Sequence, residues 1–110
     1  MSQTPFNAQN SILSSTGGQH AMYDLLPGPN LVKPAPGRAV RIFVTSGPGT
    51  AGTLAINDCA SLAAVSAANL AYAVGFATAV EGFEVLAEWP CAYGIVVTVP
   101  TGCTASVSYL

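Results

Sequence analysis

From Gly37 to the C-terminus, glycine and proline cut the chain into short runs, and in most of those runs apolar residues fall on every second position. A period of two marks a strand with one buried face, whereas an amphipathic helix repeats near 3.6. Val40, Ile42 and Val44 alternate within 38–45, and Leu54 and Ile56 alternate within 53–57. A third run, 84–89, is ended by Pro90. Gly94-Ile95-Val96-Val97-Thr98-Val99 is nearly continuous and β-branched, which suits a strand covered on both faces. The last run, 104–109, puts Ala105, Val107 and Tyr109 on one face. Turn chemistry separates them, in Ser46-Gly47-Pro48-Gly49 and again in Pro100-Thr101-Gly102. Strands at this spacing predict an all-β fold, a small antiparallel β-sandwich of jelly-roll type. Its expected core is Val40, Ile42, Leu54, Ile56, Leu86, Trp89, Ile95, Val97 and Val107.

The stretch from Cys59 to Val80 departs from this pattern. It is rich in alanine and free of charge, and it is about as long as a bilayer-spanning helix. It also contains Ser61, Ser66, Asn69, Gly75 and Thr78, and its flanks are the acidic Asp58 and Glu81. No Lys or Arg is there to orient a span, so no membrane is expected as a partner. A loop or short helical turn over 58–66, followed by a strand near 67–74, is the reading adopted.

Residues 1–36 have a different character. Met1 to Leu13 shows neither the basic start nor the apolar stretch of a secretory signal. Five prolines among residues 1–36 speak against long helices and central strands. Two apolar clusters, Ile12-Leu13 and Met22-Tyr23-Asp24-Leu25-Leu26, interrupt a polar background of Gln, Asn, Ser and Gly. The expected organisation is an extended N-terminal arm over 1–36 and a sandwich domain over 37–110. The arm is expected to order where it meets a partner, with Ile12, Leu13, Met22, Tyr23, Leu25 and Leu26 as anchor points.

Charge removes several functions. Only 7% of the 110 residues are charged, against roughly 25% in an ordinary soluble domain. Three cations, Lys33, Arg38 and Arg41, cannot neutralise several phosphates, so nucleic acid is not an expected partner. Cys59, Cys91 and Cys103 are widely spaced, with no Cys-x-x-Cys or Cys/His grouping, so no metal site is expected. They read as buried thiols, with a Cys91–Cys103 bridge across neighbouring strands as the alternative. His20 lies beside two glycines in the arm, without a rigid support or an orienting partner. Glu84 and Glu88 would share a strand face about 13 Å apart, too far for paired-carboxylate glycoside chemistry, and Glu81 adds nothing to it. Gly47-Pro48-Gly49-Thr50-Ala51-Gly52 is not a phosphate loop, since Gly-Lys-Ser/Thr is missing and Pro48 lacks an amide donor. Asn57-Asp58 does not begin a calcium loop. Trp89 with Tyr93 suits stacking on a sugar or base, but a core role for the Trp is the reading adopted. No catalytic residue and no cofactor is expected.

Five stretches carry a resemblance: Pro36-Gly37-Arg38-Ala39-Val40-Arg41-Ile42, Gly52-Thr53-Leu54-Ala55-Ile56-Asn57-Asp58, Leu86-Ala87-Glu88-Trp89-Pro90-Cys91-Ala92-Tyr93-Gly94-Ile95-Val96-Val97, Pro100-Thr101-Gly102, and the terminal Val107-Ser108-Tyr109-Leu110. Together they resemble small β-sandwich structural proteins of tailed bacteriophages, of the capsid decoration, cement or head-fibre kind. The resemblance spans about residues 36–110. It implies a non-enzymatic virion protein, assembled in the host cytoplasm and held on the capsid exterior. It also implies the major capsid protein as partner and a homo-oligomer, with a trimer favoured. The alternative is a head-fibre or tail component that contacts a receptor or carbohydrate. A low-charge chain with apolar points in a solvated arm is suited to such binding, because many weak copies on a repeating lattice gain avidity.

Overall fold

The computed structural model describes residues 19–47, 52–77 and 81–110, and there the alternating runs become strands. In chain order these are β1 (His20–Leu25), β2 (Gly28–Lys33), β3 (Gly37–Ser46), β4 (Gly52–Asn57), β5 (Leu70–Phe76), β6 (Glu84–Cys91), β7 (Ile95–Val99) and β8 (Thr104–Tyr109). Two single 3-10 turns, Leu62–Ala64 and Ala67–Asn69, precede β5. All pairings are antiparallel. One sheet has the order β1-β8-β3-β6 and the other β2-β7-β4-β5. Except for β4 to β5, each strand is followed by one in the opposite sheet, which is the double-sheet winding of a jelly roll.

The two inner faces meet in one core. Ile42, Val44, Val85, Ala105 and Val107 come from the first sheet, and Leu54, Ile56, Ile95, Val97 and Val99 from the second. Of the nine expected core residues, Leu86 and Trp89 are not buried: Leu86 is 57% exposed and Trp89 41%. They lie three positions apart, so a regular strand cannot turn both to the same face. Val85 and Ala87 take the inward positions, and Leu86 pairs with the exposed Arg41. Trp89 is opposite the buried Ala39 but sits at the open side of the sandwich, where it meets Tyr72 of β5.

Residues 20–33 correct the expected arm boundary. They form β1 and β2, and Leu25 and Val32 join the core. Their composition still explains their placement: β1 and β2 are both edge strands. Pro29 lies in edge strand β2 and Pro90 in edge strand β6, where a missing amide costs no interior ladder bond. The sandwich therefore begins near His20 rather than at Gly37.

β7 is covered on both faces, as its β-branched run implies. Val96, on the face away from the core, is flanked by Leu31 of β2 and Asn57 of β4 and is fully buried. The 58–69 loop crosses here. Asp58 N donates to the Asn69 carbonyl oxygen at 2.8 Å, and the first 3-10 turn lies against β2, on the far side of β7. No helix among the described residues is long and apolar enough to cross a membrane.

Candidate binding surfaces

The six anchor residues expected in the arm separate. Ile12 and Leu13 lie outside the described residues. Leu25 is buried in the core and Met22 is partly buried against it. Tyr23 is 77% exposed, and Leu26 is exposed in the turn to β2. The division arises at a register shift between Met22 and Leu25, where three steps along β1 oppose two along β8. Asp24 takes the extra step with a φ of 57°. Asp tolerates that left-handed conformation better than most residues. The irregularity lets Met22 and Leu25 both face inward while Tyr23 faces out.

Tyr23 forms one wall of a shallow furrow over β8 on the outer face of the first sheet. Register builds it. Ser108 pairs with Ala21 on one side and Arg41 on the other, and Ser106 pairs with Phe43, which in turn pairs with Glu84. Two serines thus make a low floor between Tyr23 on β1 and the longer side chains of β3. The hollow is open and measures about 310 Å³. Arg41 Nη1 is 4.0 Å from Glu84 Oε2, with both side chains nearly half exposed, a pairing worth little in water. Ser108 Oγ is buried without a hydrogen-bond partner.

A second surface lies where the edge strands β5 and β6 adjoin. The Tyr72 and Trp89 rings tilt against each other with centroids 5.7 Å apart, linking the two sheets at their open side. Leu70, two residues along from Tyr72, is half exposed, and it lines a hollow of about 280 Å³ together with Tyr93, which is 70% exposed. A register shift separates two groups: Tyr72 pairs with the inward Ile56 and meets Trp89 at the opening of the sandwich, whereas Leu70 pairs with Asn57, beside the outward Val96, and shares its hollow with Tyr93 on the outer face. Sequence reading noticed Trp89 with Tyr93 but missed Leu70 and Tyr72. No linear spacing relates β5 to the turn before β7, and only the winding brings them together.

Polar groups beneath the Leu70–Tyr93 hollow are already committed to structure. Asp58 Oδ2 accepts from Ala92 N at 2.8 Å, and Oδ1 accepts from Tyr93 N at 2.8 Å and Gly94 N at 3.3 Å. Burial opposes the charge and is the largest single influence, but the three amides together outweigh it and hold the carboxyl below its ordinary value. Asn57, a buried polar side chain, donates to the Ser66 carbonyl at 3.0 Å and to Asn69 Oδ1 at 2.8 Å. Asn69 Nδ2 donates in turn to the Ala64 carbonyl at 2.8 Å. These bonds hold the 58–69 loop and the 92–94 turn in place, and so position Leu70 and Tyr93.

The remaining candidates stand apart from one another. The His20 ring packs against Tyr109, with centroids 5.5 Å apart. Glu81 Oε1 accepts from Gly47 N at 3.1 Å, and Glu88 is exposed on β6 with a φ of 46°. Among the described residues no group of three or more His, Cys, Asp and Glu converges on a point that could hold a metal ion. All three cysteines are buried and none is in a disulfide. Burial, with the nearby charges of Asp58 and Cys59, pushes the Cys91 thiol up to about 11, which suppresses its reactive thiolate form. No family model, curated protein or solved structure matches the chain.

Proposed function

We propose that this jelly roll is a non-enzymatic structural component of a phage particle, which decorates and stabilises the capsid by binding major capsid protein subunits. The β5–β6 flank carries the proposal. Trp89 is exposed against the half-buried Tyr72, Leu70 and Tyr93 are exposed around a hollow on the outer face, and the polar groups beneath that hollow are already bonded within the fold. A surface of large rings on rigid supports suits a protein contact, because Trp and Tyr dominate binding energy where they become desolvated. The flank bears no basic residue, so its contact depends little on salt. The likeness of residues 36–110 to phage decoration and cement proteins supplies the partner. In this reading the chain acts as a homo-oligomer, with a trimer favoured, on the capsid exterior. Residues 1–18, with Ile12 and Leu13, supply a second attachment.

Two measurements test the proposal. Mass spectrometry of purified particles should find the chain at a fixed ratio to the major capsid protein, still present after a high-salt wash. Purified full-length protein should bind undecorated capsids, and replacing Trp89 and Tyr93 together by Ala should weaken that binding at least tenfold without loss of the folded state. Absence from particles, or full binding by the double variant, would defeat the respective half of the proposal.

A further inference from the structure

We propose that the furrow over β8 is a saccharide-binding site for a single pyranose ring or the end of a short glycan, separate from the capsid-binding flank. Three observations converge on that chemistry. The first is the side-chain set. Tyr23 and Phe43, both exposed, offer ring faces to the apolar C–H side of a sugar. Arg41 offers a fork of donors and Glu84 a pair of acceptors, the complement of two neighbouring hydroxyls. The second is that this polar capacity is unspent. The loose 4.0 Å approach between Arg41 and Glu84 is the only polar contact of either head group among the described residues. Around Asp58 and Asn69, by contrast, the polar atoms are already engaged. The third is shape. A hollow of about 310 Å³ stands at the lower end of ligand sites, which suits a small polar molecule rather than a large apolar one.

The backbone beneath is well defined for this task. The central strands β8 and β3 supply Ser106, Ser108, Arg41 and Phe43, and the register irregularity at Asp24 turns Tyr23 outward over them. An open site of this size binds a monosaccharide weakly, with a millimolar dissociation constant, and gains strength from many copies on one surface.

The test uses the full-length protein and two probes. Methyl glycosides of common hexoses and N-acetylhexosamines are titrated at millimolar concentrations while backbone amide resonances are recorded. The protein, displayed in many copies on beads, is also applied to an array of immobilised glycans. At least one glycoside should shift the amides of Tyr23, Arg41, Phe43, Ser106 and Ser108 in a saturable way. Tyr23→Ala and Arg41→Ala should each weaken binding at least fivefold, and Arg41→Lys should weaken it as well, because a single ammonium cannot replace the fork. Tyr23→Phe keeps the ring and should keep most of the affinity, which separates stacking from a folding defect. Silence of the furrow amides with every glycoside together with a blank array would overturn the site. So would shifts centred on Trp89 and Tyr93, or array binding that survives both alanine substitutions. Capsid binding by the same variants should stay unchanged, so the failure of one proposal is distinguishable from that of the other.

Discussion

Replacing Asp58 by Ala removes the acceptor that holds three consecutive amides between β6 and β7. A hydrogen bond to a charged group contributes about 1.5–3 kcal/mol, and a buried donor left without a partner costs about 1–3 kcal/mol. Ala92 and Tyr93 are exposed, so their amides turn to water once the carboxylate is gone. Gly94 is buried, and its amide has no such recourse. The expected loss is therefore about 3 kcal/mol for Asp58→Ala, short of the sum of three full bonds. Asp58→Asn keeps one acceptor oxygen and should lose about 1–2 kcal/mol. Urea unfolding followed by tryptophan fluorescence measures both, with the midpoint falling and the slope unchanged.

pH supplies an independent check. The Asp58 carboxyl is held below its ordinary value in the folded state. A lowered folded value means that the carboxylate's contribution is complete above the unfolded value, about pH 4, and is lost as pH falls through the folded one. The stability gap between the native chain and Asp58→Asn should therefore be constant near neutrality and narrow below about pH 4. A loss under about 0.5 kcal/mol for Asp58→Ala, the range of an ordinary surface change, would refute the structural role given to the carboxylate. A gap that stays the same down to about pH 2.5 would refute the electrostatic part.

Three further outcomes are expected. Ile95→Ala should cost about 2–5 kcal/mol in the same assay, because Ile95 is fully buried in the core and truncation leaves a cavity. Gly94→Ala should cost about 1–3 kcal/mol, since an added Cβ runs into the Cys59 and Lys33 carbonyl oxygens and backbone cannot swing aside as a side chain can. Glu88→Asn should leave stability unchanged or raise it by up to about 1 kcal/mol, measured by thermal unfolding, because Asn accepts the positive φ more readily than Glu.

Much of the architecture was legible because a half-buried strand writes its inward face at every second residue. Ile42 with Val44, Leu54 with Ile56, and Val107 with Ala105 are all buried as that rule requires. The 3-10 turns and β5 also fall close to the loop and strand expected for 58–74. Proline was harder to interpret. Its exclusion from central strands holds here, yet an edge strand is still part of the sandwich, and that is where β2 and β6 carry Pro29 and Pro90. Treating residues 20–33 as an arm confused an edge with an exterior.

The surface residues escaped for a different reason, and it bears on how this fold makes sites. Period-two reading works only where two strands advance in step, and β1 and β6 each lose step once. A left-handed residue lies within each slip, Asp24 in β1 and Glu88 in β6, and each adjoins an exposed aromatic, Tyr23 or Trp89. Both strands are also sheet edges, although slips are not confined there: the central pair β3 and β8 shifts register twice. The central strands β3, β4, β7 and β8 supply most of the core, and on β3 Phe43 is exposed on the outward face. Side chains that bind are therefore confined to the outward face and the edges, and at the edges the slips in β1 and β6 decide which rings appear. Local departures from the pattern are costly to keep, and proteins retain them chiefly where function uses them. Tyr23 and Trp89 lie on different edges of the first sheet, which allows one small jelly roll to offer a furrow to a small molecule and a flank to a protein without the two competing.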